Sequence, residues 1–438
     1  MGCGASSHDT IPTSGGSAAA APAETTREEA SAIAAEPFEP QKALSQAAIL
    51  PAAASEPLQR AVPERMMKVL EMRRAWAKND AALRAWLDLT PEEALEPEME
   101  IVDPHHHAWD MRELQGFNLF GLFKQQYYMS DELMDDMVGG GHNVTHSVYA
   151  EAHAFHSADA PEALMAPLGE VMAMQGIAAQ FASGKYGELR AVAGIIGTAD
   201  LAKYGADAEP LLLACKAAAP NYRGIRVNAQ HSSDPAIKFG VSRPGLYLEP
   251  KFREGFALLG KHGLSFDAFL YSHQLGDLHD LATSFPDTTI ILNHNGCPAG
   301  ALDRADAGKA DGILQGWRVE MERLAKDCPN VFVKVGGFGM PQLGHGFDAR
   351  DKPPTSGEVC EAFGAMYLWT IEKFGCDRCM FEGNFPVDKC SMSYTVLWNA
   401  YKRMVPSLQD AEAAGGTGFS DADRALLFRG TAKRVYGL

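Results

Sequence analysis

From residue 99 onward, short apolar runs alternate with longer stretches that place an apolar residue every three or four positions. The runs predict strands at 99–102, 143–151, 189–197, 222–228, 264–271, 288–294, 331–336 and 378–382. Helical spacing falls between them, at roughly 130–138, 161–182, 209–219, 249–262, 275–285, 311–327, 356–374 and 391–405. Such alternation predicts a parallel sheet. Eight units predict an α/β fold closed as a (β/α)8 TIM barrel, with an open doubly wound sheet as the alternative. Helix-to-strand links are short, as at Pro286-Asp287 and Pro329-Asn330, whereas strand-to-helix links are long: 108–129, 229–248, 295–310 and 338–355. In a barrel those long links share the C-terminal face, where active sites are built. Ser420-Asp421-Ala422-Asp423 resembles a capping box and predicts a closing helix that ends near Tyr436.

The chain before residue 99 reads differently. Residues 8–62 are rich in Ala, Pro, Ser and Glu and nearly devoid of aromatics. They offer too little apolar surface to offset the entropy of ordering, so residues 1–62 are expected to form a disordered tail. Met66, Val69, Leu70, Met72 and Trp76, then Leu83, Trp86 and Leu87, predict one or two lead-in helices within 63–98, ahead of a barrel domain at 99–438. The first residues, Met1-Gly2-Cys3-Gly4-Ala5-Ser6-Ser7, match an N-myristoylation pattern. One acyl chain anchors only marginally, and Cys3 would supply a second by palmitoylation. The expected partners are therefore a small-molecule substrate and a membrane reached through acyl chains, with the protein otherwise cytoplasmic.

Composition narrows the function further. No apolar run approaches the ~20 residues that a membrane-crossing helix needs. The formal net charge of −17 disfavours nucleic acid as a partner. Eight cysteines lie scattered without a framework, which points to a reducing compartment. Cys376 and Cys379 form a single CxxC, too little for a structural zinc site.

The candidate chemistry gathers at the predicted strand ends. In Asp103-Pro104-His105-His106-His107, alternation sends His105 and His107 to one side and His106 to the other. Two imidazoles so placed form half of a divalent metal site. Later strand ends bring Glu151 and His153, Arg226 and Asn228, then Asp267, Tyr271, His273 and Gln274. Asn293 and His294, Lys334, and finally Glu382, Asn384 and Asp388 complete the set. Arg226 could pair with Glu151 or Asp267, or bind a substrate carboxylate. Lys334 reads as a paired barrel lysine, and His153, His156 and His345 as loop bystanders. Trp109, Phe117, Phe120, Phe123, Tyr127 and Tyr128 are expected to pack a loop.

Three motifs carry a resemblance over residues 95–438: Asp103-x-His105-x-His107, Ile291-Leu292-Asn293-His294-Asn295-Gly296, and Cys379-Met380-Phe381-Glu382-Gly383-Asn384-Phe385-Pro386-Val387-Asp388. The sequence resembles the amidohydrolase superfamily, in the branch of L-fuconolactonase, 4-sulfomuconolactonase and 2-pyrone-4,6-dicarboxylate lactonase. That resemblance implies a barrel whose strand-one histidines bind a metal or hold the substrate, and a strand-eight aspartate that activates water. Two departures follow. Asn384 stands where that aspartate is usual and, being neutral, takes no proton, so Asp388 is the nearest replacement. Strand four carries Arg226, not a bridging lysine or glutamate, which implies a mononuclear or metal-free site.

The expected activity is hydrolysis of a small lactone or cyclic ester, with one Zn2+ on His105 and His107 or none. Asp388, His294 and Asn384 are the expected catalytic group, and Arg226, Tyr271, His273 and Gln274 the substrate contacts. Gly2 and Cys3 would carry the lipid. The alternatives are a zinc-dependent decarboxylase of an aromatic or muconate-type acid, and a membrane-tethered pseudoenzyme.

Overall fold

Eight parallel strands follow one another around a single sheet in chain order. The structure, a computed structural model, describes residues 80–112, 124–234, 237, 242–303 and 306–438. The chain divides after Val62, and all described residues belong to the second part. The acylation motif at Gly2 and Cys3, the tail, residues 63–79 of the lead-in segment, and Phe117, Phe120 and Phe123 lie outside the described residues.

The strands are β1 Glu100–His106, β2 Asn143–Ala150, β3 Arg190–Gly197, β4 Tyr222–Asn228, β5 Ser265–Phe269, β6 Ile290–Leu292, β7 Val331–Val335 and β8 Cys379–Phe381. Between and after them run α1 Ser130–Met137, α2 Leu168–Ala182, α3 Glu209–Ala218, α4 Pro250–His262, α5 Leu275–Ser284, α6 Ala307–Asp327, α7 Ser356–Phe374 and α8 Tyr394–Met404. The ring closes where the segment after β8 meets β1. There the Asn384 amide donates to His105 O at 2.8 Å and the His107 amide to Phe385 O at 2.7 Å.

Strand β1 runs four residues past its apolar core because Asp103 compensates for a proline. Pro104 has no N–H to give the ladder, and the register with β2 breaks between Asp103 and His106. Asp103 Oδ1 instead accepts from the His105 and Gly383 amides at 3.0 and 2.8 Å, and Tyr394 donates its hydroxyl to Oδ2 at 3.0 Å. Glycine is required at 383, since a Cβ there would stand 2.2 Å from Asp103 Oδ2. Gly383→Ala is therefore expected to destabilise the protein by roughly 1–3 kcal/mol, the usual cost of overpacking. A shifted urea midpoint at unchanged slope would show it.

Local chemistry sets the helix starts. Thr355 and Glu358 cap α7 reciprocally, and the Ser420 side chain accepts from the Asp423 amide as its spacing predicts. The expected closing helix runs without interruption from Asp421 to Tyr436, with one wider turn at Leu426–Gly430. Of the lead-in segment, residues 80–87 are helical, and Trp86 Nε1 donates to Arg350 O at 3.0 Å. Among the described residues no helix is long and apolar enough to cross a membrane.

At the start of β1, Glu100 gathers Lys433, Arg429 and Thr145. Burial opposes its ionisation, but these hydrogen bonds outweigh it and bring the carboxyl from 4.5 down to about 2. A depressed folded-state pKa adds stability that is complete above about pH 4.5 and lost as pH falls toward 2. Glu100→Gln is expected to flatten the stability–pH curve across that window and leave the curve above it parallel to wild type.

Candidate active site

At the C-terminal end of the strands lies a cavity of ≈ 880 Å³, reached by His107, Glu151, Arg226, His294 and Asn384. At its floor, His294 meets His105 and Glu382, which lie beneath the lining, and the three offer ligand atoms that all lie within 4.8 Å of one another, all of them buried. Glu382 ties the group together. Its Oε1 accepts from the His294 amide at 3.1 Å and lies 2.8 Å from His294 Nδ1. Its Oε2 faces His105 Nδ1 at 2.8 Å yet makes no properly angled hydrogen bond.

The expected pair His105 and His107 does come together. His107 Nε2 stands 3.3 Å from His105 Nε2, and a cluster of three possible donors joins His105 to His294 and Glu382. His107 Nδ1 donates to Ala150 O at 2.9 Å, which fixes the ring and leaves Nε2 as an acceptor. His106 does face away, against Tyr149.

Arg226 is built in from two sides. Its Nε and NH2 donate to the side chain and backbone of Glu151 at 2.7 and 2.6 Å, and NH1 lies 3.2 Å from His105 Nε2. Burial disfavours the charged Glu151 carboxyl, but Arg226 and His153 outweigh it and hold the carboxyl well below the usual range. Lys334 pairs with Asp267 at 2.6 Å, both fully buried, as expected of a barrel lysine. Burial, aided by the charge of Lys334 for His105 and of Arg226 for His107 and His294, lowers all three histidines far below 6.5, so they are neutral. Burial also pushes Glu382 up to about 8.

Asp388 does not reach the cavity. It is fully buried behind Asn384, whose Nδ2 donates to Oδ1 at 2.7 Å, while the Gly339 amide donates to Oδ2 at 2.9 Å. Burial raises its pKa well above the usual range. Tyr271, His273 and Gln274 also stand outside the lining. Gln274 binds the backbone of Tyr271, His231 and Ala229, and His273 Nε2 lies 2.8 Å from His231 O. His273 and Gln274 thus hold one loop to another.

The cavity gains residues that the sequence reading set aside. His153 and His156 both line it, and His153 Nε2 lies 2.9 Å from Glu151 Oε2. The signal for Glu382 was present, since it precedes Asn384 by two positions and alternation sends both inward. A second signal was the run Gly336-Gly337-Phe338-Gly339: a Cβ at Gly337, whose φ is +71°, would meet His294 Nδ1 at 2.2 Å. The backbone turns left-handed at His294, Asn295 and Asn384, a costly conformation that clusters at functional sites.

Fold and site together define a barrel enzyme with a buried histidine–carboxylate centre. The amidohydrolase family model matches residues 102–438, and the chain belongs to that family of enzymes. It is 31% identical over 350 residues to an uncharacterised protein, y4mH, of Sinorhizobium fredii, covering 77% of this chain and 99% of that one. It is 31% identical over 177 residues to L-fucono-1,5-lactonase of Burkholderia ambifaria, covering 40% of this chain and 53% of that one. An amidohydrolase from Burkholderia multivorans, solved with bound zinc, superposes with a TM-score of 0.56 at 21% identity, over 78% of this chain and all of that one.

Proposed function

We propose that this enzyme opens a small lactone or cyclic ester by attack of water on the ring carbonyl. The observation that carries the reading is the buried His105–His294–Glu382 centre beside a fixed arginine. The partial similarity to a lactonase supports it.

The donor set fits a divalent metal. Two neutral imidazoles and a carboxylate suit zinc, and Glu382 Oε2 is a buried acceptor without a hydrogen bond. His105, His294 and Glu382 would hold one ion, and such an ion supplies Lewis-acid polarisation. Protein purified without chelator is expected to carry close to one equivalent of zinc by elemental analysis, lost in His105→Ala. A metal content near zero together with full activity would remove the ion from this reading.

The chain's own groups supply the rest. His107 Nε2, left as an acceptor by the Nδ1 bond to Ala150 O, accepts the proton of the attacking water and returns it to the leaving ring oxygen. The Arg226 guanidinium, locked by Glu151, faces charge that develops on the carbonyl oxygen. Asn384 is positioned through its amide by Asp388. The test is a pH-indicator assay over lactones of differing ring size and substitution. No acceleration of ring opening with any of them would sink the reaction assigned here.

We also propose that Gly2 and Cys3 carry acyl chains. Gly2→Ala in a C-terminally tagged protein is expected to move it from the membrane to the soluble fraction of a eukaryotic cell lysate, and Cys3→Ser to leave it divided between the two. Wild type found wholly in the soluble fraction would end this reading.

A further inference from the structure

The walls of the cavity differ from its floor. Around the histidines and Arg226 the groups are polar and come from strand ends. Above them the loops after β2, β3, β4 and β7 contribute Leu164 and Pro167, Ala202 and Tyr204, Leu246, and Met340. Polar side chains do occur on these walls, but many of their groups are already committed. Thr198 donates its hydroxyl to Arg226 O at 3.0 Å, and Asn228 Oδ1 accepts from the Gln230 amide at 2.9 Å. Gln230 Nε2 points to Cys297 Sγ at 3.6 Å, and Gln342 Nε2 to Met340 Sδ at 3.2 Å. Arg243 is held by both oxygens of Glu249 at 2.5 and 2.6 Å.

His156 Nε2 and Gln342 Oε1 on the lining lack a partner among the described residues. A polyhydroxylated ring laid along Leu164, Ala202, Tyr204 and Leu246 would still lose water to side chains that, Tyr204 apart, carry no polar atom, and each unmet hydroxyl is costly. An apolar group would meet the opposite balance. Size points the same way. A water takes about 30 Å³ of liquid, so a cavity of ≈ 880 Å³ has room well beyond one small ring.

We propose that the substrate is an amphiphilic lactone, whose ring carbonyl lies at the His107–Arg226 floor and whose apolar substituent, a linear alkyl chain, lies along the wall formed by Leu164, Ala202, Tyr204 and Leu246. This rests on the lactone reading above and adds the substrate class. The occupant follows from continuity: the wall opens onto the reacting centre, so what covers it is part of the molecule held there.

The test uses the full chain and γ-lactones bearing linear alkyl groups from methyl to undecyl at the carbon next to the ring oxygen. Each methylene that leaves water for the wall contributes about a fourfold gain. The ratio kcat/KM is therefore expected to climb about three- to fourfold per methylene and then level off where the wall ends. Leu164→Asp is expected to flatten that climb. Binding is read separately, by calorimetry with the ring-opened 4-hydroxyalkanoates, whose Kd should fall with chain length by a similar factor. A Kd independent of chain length overturns the apolar subsite whether or not the lactones turn over. A sugar lactone of the same ring size turned over better than every alkyl lactone overturns it as well. A Kd that falls with chain length while no lactone is opened supports the subsite and overturns the hydrolytic reading.

Discussion

His107→Gln is expected to lower the turnover number by a factor on the order of 10²–10⁴, the span that a positioned general base contributes. Geometry singles out this residue among the site histidines. Its Nδ1 donates to Ala150 O, so its Nε2 is an acceptor, 3.3 Å from His105 Nε2 and outside the His105–His294–Glu382 cluster. His294 and His105 are both turned toward Glu382. Asp388, the residue favoured by position alone, is held by Asn384 and Gly339 and does not line the cavity. Asp388→Asn should therefore act indirectly, through the orientation of Asn384. The two variants separate by steady-state kinetics on whichever lactone is opened fastest. A larger fall in kcat for Asp388→Asn than for His107→Gln would return the base to Asp388. Metal content of His107→Gln near wild type is part of the same prediction, since the three cluster ligands remain.

Lys334→Met is expected to cost about 3–5 kcal/mol of stability, the usual loss when one partner of a buried ion pair is removed. Lys334 Nζ donates to Asp267 Oδ2 at 2.6 Å, and neither side chain has any exposure. Asn293 Nδ2 and the Tyr436 hydroxyl complete the carboxylate's contacts at 2.9 and 3.1 Å, and neither brings a full charge. Deleting the ammonium would leave Asp267 ionised and uncompensated in the barrel interior, or force it to bind a proton. The companion double variant Lys334→Met with Asp267→Asn should regain most of the loss, because a neutral amide still accepts from Asn293 and Tyr436. Chemical denaturation at equilibrium measures both, and a double variant no more stable than the single one would show that packing, not charge, dominates. Tyr436 lies in the last turn of the chain, so the same pair ties the closing helix to the barrel.

Much of this molecule is legible in local pattern. Strand β4 was predicted at its observed bounds, because Tyr222–Asn228 is a compact run between Pro220 and a long loop. The other strands were predicted within a few residues, since a short apolar run between turn residues is a local property of the chain. The parallel barrel followed from alternation and loop length, and the inward-facing pair His105 and His107 from the same period of two. The resemblance carried by three motifs placed the chain in its family, which the family match over residues 102–438 shows.

What the pattern could not give was which inward-facing groups meet. His105, His294 and Glu382 come from strands far apart in sequence, and only ring closure between β8 and β1 brings them within 4.8 Å. Sequence distance likewise hid the fate of Asp388. It sits four residues past Asn384, near enough on paper to replace it, but the short helical turn at Asp388–Cys390 folds it behind the asparagine. Tyr271, His273 and Gln274 share a strand end with the site, yet the backbone leaves the strand at Phe269, and the turn that follows at Ser272–Gln274 carries them to the loops. His153 and His156 show the reverse, loop residues that the turn after β2 returns to the cavity. Alternation dictates which face a residue takes while the chain is a strand. Past the strand's end, only the packed loops decide, because there each side chain's direction is set by what its neighbours leave open.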